Sequence, residues 1–283
     1  MTDHLAIPTE AGTFDALVAG PTGGRPVLLL HGFPEAAVQW DHQVGALGAA
    51  GYHAVAPDQR GYSPDVRPAD VADYRLDELV ADVFRIADVL GWAKFDLVGH
   101  DWGAAVAWTA AAERAERVHS LVALSVPHPT PFAEAIREDE DQAQRSAYIQ
   151  LFRQAGTAEK RLLADDAALL RRIYDRKVPR TRVEEYVQRF AEPGALTAAL
   201  NWYRATKLSA MDVGPVDVPT LYLWGTEDVA VGSTAAMATE KYVTGPYRFA
   251  MLQDLSHWLC EEASGLITDV LLAHLSDYGD ADG

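Results

Sequence analysis

The sequence is short of cysteine and of long apolar runs. Cys260 is the only cysteine among 283 residues, so no disulfide can form within the chain and a reducing compartment is the simplest expectation. It lies in an apolar stretch, which favours a buried packing residue over a nucleophile. No stretch approaches the ~20 apolar residues of a membrane span, and the N-terminus lacks the basic and apolar regions of a signal peptide. We therefore expect a cytoplasmic protein without a membrane partner.

Positive charge is also scarce. The chain has 24 Lys and Arg against 41 Asp and Glu, and its formal net charge of -17 would repel nucleic acids and anionic membranes. The nine histidines are scattered without a His-Glu-x-x-His motif. A phosphate-binding loop and a strand-linked Gly-x-Gly-x-x-Gly are also lacking. We therefore expect no nucleic-acid partner, no metal and no cofactor.

Short strands and helices alternate up to about residue 125, which is the pattern of a parallel sheet built from βαβ units. Apolar residues at helical spacing over residues 76–90 predict one of these helices, and Gly91 is placed to end it. Residues 118–125 predict the strand that follows. An apolar content of 49% is ample for the core of one large domain.

The alternation stops between residues 127 and 211. This segment is helical in character, rich in Arg, Glu and Ala, and has no convincing strand, and the alternation resumes at Pro219. We expect a helical lid inserted into a sheet domain. The chain then divides into a first core part (1–126), the lid (127–211) and a second core part (212–283). A lid can exclude water from a reacting carbon.

The sequence Gly-His-Asp-Trp-Gly at residues 99–103 follows an apolar run at 95–98. A strand, a sharp turn bounded by glycines and a helix form a nucleophile elbow, which presents the central side chain above the sheet. That side chain is Asp101 here. An aspartate that attacks an electrophilic sp3 carbon forms an ester, which water must then cleave. The alternative is that Asp101 only caps the helix that begins near Trp102.

A second loop follows the apolar run at residues 27–30, which predicts a buried parallel strand. The loop reads His-Gly-Phe-Pro-Glu at residues 31–35. Its position suits an oxyanion hole, in which backbone N–H groups of this loop and of the residue after the nucleophile hold a developing negative oxygen. Phe33 and Trp102 are the candidate donors. The alternative is a tight turn fixed by Gly and Pro.

An acid and a histidine follow in the chain order that such a nucleophile requires. Residues 221–224 predict a strand, and the loop after it offers Glu227 and Asp228 as the acid. Residues 247–252 predict the last strand, and His257 follows as the candidate base. The alternatives are a hydrogen-bonded structural histidine and a plain turn carboxylate.

With these motifs, the chain resembles α/β-hydrolases of the epoxide hydrolase branch over nearly its whole length. The resemblance implies an α/β-hydrolase fold with an inserted helical lid, and the family spacing Gly-x-x-Asp favours Asp228 as the acid. The residues that carry the resemblance are the loop 31–35 with Trp40, Asp-Gln-Arg-Gly-Tyr at 58–62, the motif 99–103, Asp228 and His257.

Two further segments resemble the parts of the family's lid whose tyrosines help to open the epoxide. They are Tyr-Ile-Gln-Leu-Phe at 148–152 with Gly-Thr-Ala-Glu at 156–159, and Asn-Trp-Tyr-Arg at 201–204. The chain departs from the family at 153–155, where Arg-Gln-Ala stands in place of the frequent Gln-x-Pro. A phenol with a pKa near ~10 stays protonated at neutral pH and can protonate the leaving oxygen of an epoxide. The alternative is that Tyr148 and Tyr203 are ordinary amphipathic helix residues.

The predicted reaction converts a small, apolar epoxide to a vicinal diol. Asp101 attacks one epoxide carbon while Tyr148 and Tyr203 protonate the oxygen, and His257, oriented by Asp228, then activates water to hydrolyse the ester. Trp202 and Phe190 suggest an apolar pocket, although they could equally belong to the core. A homodimer is a candidate assembly.

Two alternatives remain open from the sequence. A haloalkane or haloacid dehalogenase shares the aspartate nucleophile, but residue 33 is Phe where many haloalkane dehalogenases have a polar halide ligand. The elbow also lacks the arginine expected after the nucleophile of a haloacid dehalogenase. A non-catalytic ligand receptor on the same fold predicts at least one damaged catalytic position, and none is visible.

Overall fold

The structure, a computed structural model, describes residues 2–174 and 176–278. Within them lies an eight-stranded sheet in the order β1-β2-β4-β3-β5-β6-β7-β8. The strands are β1 (Asp3–Thr9), β2 (Gly12–Ala19), β3 (Pro26–Leu30), β4 (His53–Pro57), β5 (Phe95–His100), β6 (Val118–Leu124), β7 (Thr220–Gly225) and β8 (Tyr247–Leu252). β2 is antiparallel to both of its neighbours, and the other pairs are parallel.

Helices cover both faces of this sheet. The α-helices of the described residues are α1 (Asp41–Ala49), α2 (Leu76–Val89), α3 (Trp102–Glu113), α4 (Pro129–Glu138), α5 (Glu140–Arg145), α6 (Ile149–Phe152), α7 (Thr157–Ile173), α8 (Arg180–Ala191), α9 (Ala195–Ala205), α10 (Ser233–Ala238), α11 (Leu259–Glu262) and α12 (Ser264–Asp277). Short 3-10 helices lie at Ala37–Trp40, Pro64–Val66, Val71–Tyr74, Ala115–Arg117, Leu208–Ala210 and Thr239–Tyr242.

The apolar residues of the inner strands supply two separate cores. In β3, Leu28 and Leu30 belong to the core cluster that also contains residues of α2 and α3. Val27 and Leu29 point to the opposite face and pack with residues of α1 and α12. Successive strand residues face opposite sides, so a strand buried on both faces must be apolar throughout. The predicted mostly parallel sheet flanked by helices is confirmed.

Several predicted elements agree closely with the structure, and two differ. The helix predicted over 76–90 is α2, and Gly91 follows it with a φ of +74°. The strand predicted over 118–125 ends one residue early, because Ser125 has a φ of +64° and leaves the extended conformation. The predicted alternation was wrong at the N-terminus, where β1 and β2 form a hairpin before the first helix. Antiparallel neighbours need only a short turn, so no helix separates them.

The segment between β6 and β7 contains α4 to α9, and its described residues form no strand. Helix α7 is interrupted at residues 164–167, which do not have helical backbone angles. The division of the chain into core and lid stays a prediction. Among the described helices, none is long and apolar enough to cross a membrane.

The close packing of α3 on β3 leads to a prediction about Gly103. A Cβ at this position would lie 2.1 Å from the Leu30 carbonyl oxygen, a contact that rigid backbone on both sides cannot relieve. We expect Gly103→Ala to lower the free energy of unfolding by at least about 2 kcal/mol in urea denaturation, as overpacking does. Gly45→Ala is the matched control, because a Cβ there meets nothing closer than Thr2 Cγ2 at 3.9 Å. It should be neutral or stabilising by up to about 1 kcal/mol, and equal effects of both changes would contradict the close packing.

Candidate active site

The turn between β5 and α3 holds Asp101 in a backbone conformation that residues other than glycine rarely adopt. Its φ is +52° and its ψ is -120°. The turn is possible because its neighbours are glycines: a Cβ at Gly99 would lie 2.2 Å from the Gly103 carbonyl oxygen, and one at Gly32 would lie 2.3 Å from Asp101 Cβ. The Asp101 side chain makes no capping hydrogen bond to α3, so the alternative of a simple helix cap is wrong.

The Asp101 carboxylate is held from two sides. The Phe33 backbone N–H donates to its Oδ1 over 2.7 Å, and His257 Nε2 lies 3.4 Å from its Oδ2. Burial alone would raise the pKa of Asp101, but the hydrogen bond and charge of His257, with the Phe33 N–H, outweigh it and hold the pKa below its ordinary value. A buried, ionised carboxylate is suited to act as a nucleophile.

Asp228 fixes the other side of the His257 ring. Its Oδ2 lies 2.8 Å from His257 Nδ1, and its Oδ1 accepts the backbone N–H groups of Ala230 and Val231 over 2.8 and 2.9 Å. Glu227, the other candidate acid, binds Lys177 at 3.2 Å and does not reach the ring. The structure therefore brings Asp228, His257 and Asp101 together in a row.

Burial alone would lower the pKa of His257. The carboxylates of Asp228 and Asp101 outweigh it and hold that pKa well above its ordinary value. The imidazole is thus a cation between two carboxylates as long as both of them are charged.

Tyr148 and Tyr203 reach Asp101 from the helical segment, from just before α6 and from α9. Their rings lie 6.3 Å apart, and the Tyr203 ring also packs edge to face against the Trp102 ring at 5.1 Å. Tyr148 keeps 37% of its surface accessible because it lines a cavity. Burial and the nearby charge of Asp101 raise the pKa of both phenols, so both stay protonated.

Phe33 and Trp102 both place a backbone N–H beside the Asp101 turn. The Phe33 N–H is engaged by the carboxylate. Trp102 is the first residue of α3, and the first N–H groups of a helix have no acceptor within it. These are the two groups that the sequence indicates as oxyanion donors.

A cavity of about 420 Å³ opens over Asp101. Its lining is mainly apolar and is formed by Phe33, Asp101, Tyr148, Leu151, Phe152, Leu162, Leu169, Arg172, Ile173, Tyr203, Val229, Ala230, His257 and Trp258. A second, smaller apolar space shares Asp101, both tyrosines and Ala230 with it. The size and lining are those of a site for a small organic molecule.

Trp202 and Phe190 do not line this cavity. Trp202 is buried and donates from Nε1 to the Arg60 carbonyl oxygen, and Phe190 packs against Phe33 and Tyr62. Trp202 and Phe190 are therefore core residues and not pocket residues.

Known proteins resemble this chain over nearly its whole length. A family model described as the α/β hydrolase fold matches residues 25–264. Epoxide hydrolase A of Mycobacterium tuberculosis is 34% identical over 97% of this chain and 97% of its own length. The chain belongs to the epoxide hydrolases of the α/β-hydrolase family. The resemblance seen in the sequence is confirmed.

Other members of the family are similar in sequence or in structure. Epoxide hydrolase 4 of Mus musculus is 34% identical over 97% of this chain and 79% of its own. The structure of Bacillus megaterium epoxide hydrolase in complex with an inhibitor superposes with a TM-score of 0.87 at 26% identity, covering 96% of this chain and 100% of the other. Epoxide hydrolase A from Mycobacterium thermoresistibile gives a TM-score of 0.85 at 29% identity over 98% of both chains.

Sequence reasoning missed the residues that hold the His257 backbone. The His257 carbonyl oxygen accepts hydrogen bonds from Ser125 Oγ and His100 Nε2, each over 2.8 Å. The position of Ser125 at the carboxyl end of β6 was the available signal, since the carboxyl ends of parallel strands meet at one edge of the sheet. Within the described residues, no group of three His, Cys, Asp or Glu side chains is arranged to hold a metal ion.

The two carboxylates on either side of His257 predict its charge at neutral pH. We expect the nitrogen resonances of His257 to show an imidazolium above pH 6.5, and Asp101→Asn to lower that pKa because one of two negative charges is removed. The folded pKa lies above the ordinary value, so the stability contributed by charged His257 is full below about pH 6.5 and is lost as the pH rises through the folded pKa. Asp269→Asn, an exposed change on α12, is the control. A neutral His257 at pH 7 in the unsubstituted protein would contradict this account.

Proposed function

We propose that this protein hydrolyses an apolar epoxide to a vicinal diol through a covalent ester on Asp101. The observation that carries the proposal is the meeting of two protonated phenols and a buried carboxylate in one cavity, with Tyr148, Tyr203 and Asp101 all in its lining. Epoxide opening needs a nucleophile and a proton donor at the same time, since an alkoxide is a poor leaving group in water. This arrangement supplies both.

In the first step, Asp101 attacks an epoxide carbon and the carbon–oxygen bond breaks. The departing oxygen takes a proton from the pair of Tyr148 and Tyr203, whose rings lie 6.3 Å apart in the cavity lining. The product is a hydroxyalkyl ester of Asp101. The mainly apolar cavity wall favours an apolar substituent on the epoxide.

In the second step, His257 takes a proton from water as its oxygen attacks the ester carbonyl. The ester C–O bond then breaks, the departing diol oxygen takes the proton of the new carboxylic acid, and the Asp101 carboxylate is restored. The ester is neutral, so one of the two charges that hold the proton on His257 disappears when it forms, and His257 can release that proton and become a base. The released proton offsets the one that the tyrosines gave. The Phe33 and Trp102 N–H groups stabilise the oxyanion, and Asp228 keeps the ring oriented.

The helical segment supports a role as a lid over this chemistry. It supplies both tyrosines and much of the cavity wall, including Leu162 and Leu169 of α7. We propose that residues 127–211 form this lid and limit the access of water until the ester has formed. The cytoplasmic location and the homodimer stay predictions.

A dehalogenase is a poorer fit to the site. A halide leaves as an anion and needs N–H donors but no proton, whereas here two phenols face the nucleophile. Phe33 places an apolar ring in the cavity wall at the position of a polar halide ligand. A non-catalytic receptor is also disfavoured, since Asp101, His257 and Asp228 are all present and in contact.

The tyrosines can be tested one at a time. We expect Tyr148→Phe or Tyr203→Phe to slow ester formation by roughly ten- to a thousandfold, and the double change to nearly abolish it, because the leaving oxygen loses its proton donors. Stopped-flow measurement of ester formation checks this. Tyr52→Phe, remote from the cavity, should keep the full rate. Unchanged rates in both single variants would remove the tyrosines from the mechanism.

The covalent step can be seen directly in His257→Gln. This change should allow ester formation and block its hydrolysis, so the ester should accumulate. Intact-protein mass spectrometry should then show an adduct with the full mass of the epoxide, on the peptide that contains Asp101, and Asp101→Asn with His257→Gln should show none. A haloalkane would instead add its mass less hydrogen halide. An adduct on another residue, or none with a turned-over epoxide, would falsify the proposal.

A further inference from the structure

A chain of buried polar groups leads from His257 toward α8. His100 Nε2 lies 2.8 Å from the His257 carbonyl oxygen, which can only accept, so Nε2 carries a hydrogen. The other ring nitrogen, His100 Nδ1, lies 2.8 Å from Glu35 Oε2. His100 and Glu35 are both fully buried. The backbone of the proposed base is therefore attached to a buried carboxyl group.

Glu261 continues this chain from α11. The Tyr186 hydroxyl, on α8, donates to Glu261 Oε1 over 2.9 Å, and the carboxyl groups of Glu261 and Glu35 lie close enough to act directly on each other's pKa. Within the part of the chain that the structure describes, Glu35 Oε1 and Glu261 Oε2 are buried and receive no N–H or O–H donor. Because Glu35 Oε2 faces His100 and Glu261 Oε1 accepts from Tyr186, we assign the contact between the carboxyl groups to these two remaining oxygens.

The hydrogen-bond donors around Glu35 determine where the proton of this contact lies. Burial lowers the pKa of His100, so its ring is neutral and its one N–H hydrogen is on Nε2. Nδ1 must then accept from Glu35 Oε2, and Glu35 Oε1 can only accept. Its partner must then be a donor. Glu261 can donate only as a carboxylic acid, and its Oε1 is already occupied by Tyr186, so the hydrogen belongs on Oε2.

We propose that Glu261 is a neutral carboxylic acid that donates to Glu35, and that this bond helps to position His257 through His100. The positioning role rests on the function proposed above. The protonation of Glu261 does not. Helix α8 is thereby linked to the base through four side chains in series, those of Tyr186, Glu261, Glu35 and His100.

The surroundings of the two carboxyl groups oppose a double negative charge. Burial raises the pKa of Glu35 to about 8, and burial together with Glu35 raises the pKa of Glu261 well above its ordinary value. The ionisable groups that face the pair are Asp101, Tyr62, His100, Tyr174, Tyr186, His257 and Cys260. The cation among them, His257, is already paired with Asp101 and Asp228.

The pH dependence of unfolding tests whether Glu261 is protonated in the folded protein, and it needs no substrate. A carboxyl group protonated in the folded state and ionised in the unfolded state makes stability fall as the pH rises from about 4.3 to the folded pKa. Relative to Glu261→Gln, the unfolding equilibrium constant of the unsubstituted protein should rise about tenfold per pH unit between about pH 5 and 7. Glu113→Gln, an exposed change at the end of α3, should follow the unsubstituted protein. Parallel curves for Glu261→Gln and the unsubstituted protein would overturn the proposal.

Infrared difference spectroscopy at pH 7 tests the protonation of Glu261 independently. The unsubstituted protein minus Glu261→Gln should show the C=O stretch of a protonated carboxyl group, because the acid is lost in the variant. The same difference taken with Glu113→Gln should show only carboxylate bands. A carboxylate band at Glu261 would overturn the assignment.

Single-turnover kinetics test the positioning role. Glu261→Gln keeps a donor to Glu35 and an acceptor for Tyr186, so ester hydrolysis should stay within about threefold of the unsubstituted rate. Glu261→Leu removes both, and it should slow ester hydrolysis at least about tenfold while ester formation changes much less. Equal rates of ester hydrolysis in the two variants would overturn the role of Glu261 in positioning His257. If Glu261→Leu does not fold, the pH dependence of unfolding of Glu261→Gln still decides whether Glu261 is protonated. If no ester forms on the unsubstituted protein, the proposed reaction fails and the two proton measurements stand.

Discussion

The backbone turn at Asp101 is the constraint on which the site depends. A residue other than glycine with a positive φ stores strain, and it persists only where the surroundings determine it. Here the segments around the turn approach so closely that a Cβ at residues 32, 99 or 103 would lie 2.1 to 2.3 Å from Asp101, Gly103 or Leu30 respectively. The result is a carboxylate aimed away from its own helix and toward a cavity. The groups that act with Asp101 must therefore come from the other loops at the same edge of the sheet and from the helices above it.

Charge is distributed in this site so that each step prepares the next. The resting site has an imidazolium between two carboxylates, with one of them fixed by two backbone N–H groups of its own loop. Because these bonds hold Asp228 in place, its hydrogen bond to His257 Nδ1 keeps the imidazole ring in one orientation. The second carboxylate is the reacting one. In the proposed reaction, its conversion to an ester changes the proton affinity of the base at the moment when a base is needed.

The fold and the three residues in contact around His257 could be predicted because they depend on local patterns. Apolar strands end at loops whose order along the chain is typical of the family, and parallel strands bring those loops to one edge. In the sequence, only the spacing from Gly225 favoured Asp228 over Glu227 as the acid that orients His257. The structure gives the physical reason, since the Glu227 carboxylate pairs with Lys177 instead. The Glu35, His100 and Glu261 chain and the role of Ser125 could not be predicted, because their contacts join segments far apart in sequence. Trp202 and Phe190 were ambiguous for the same reason: an aromatic residue in a core and one in a pocket look alike in a sequence.

The helical segment is fastened to the sheet domain at several points. The Tyr174 hydroxyl donates to the Pro34 carbonyl oxygen, Trp202 donates to the Arg60 carbonyl oxygen, and Arg189 forms an ion pair with Asp58. Raising the segment as one body would break all of these contacts together. The interruption of α7 at residues 164–167 lies between Leu162 and Leu169, which both line the cavity. The positions of Leu162 and Leu169 are thus set by two separate pieces of helix, so the shape of this wall does not depend on one continuous helix.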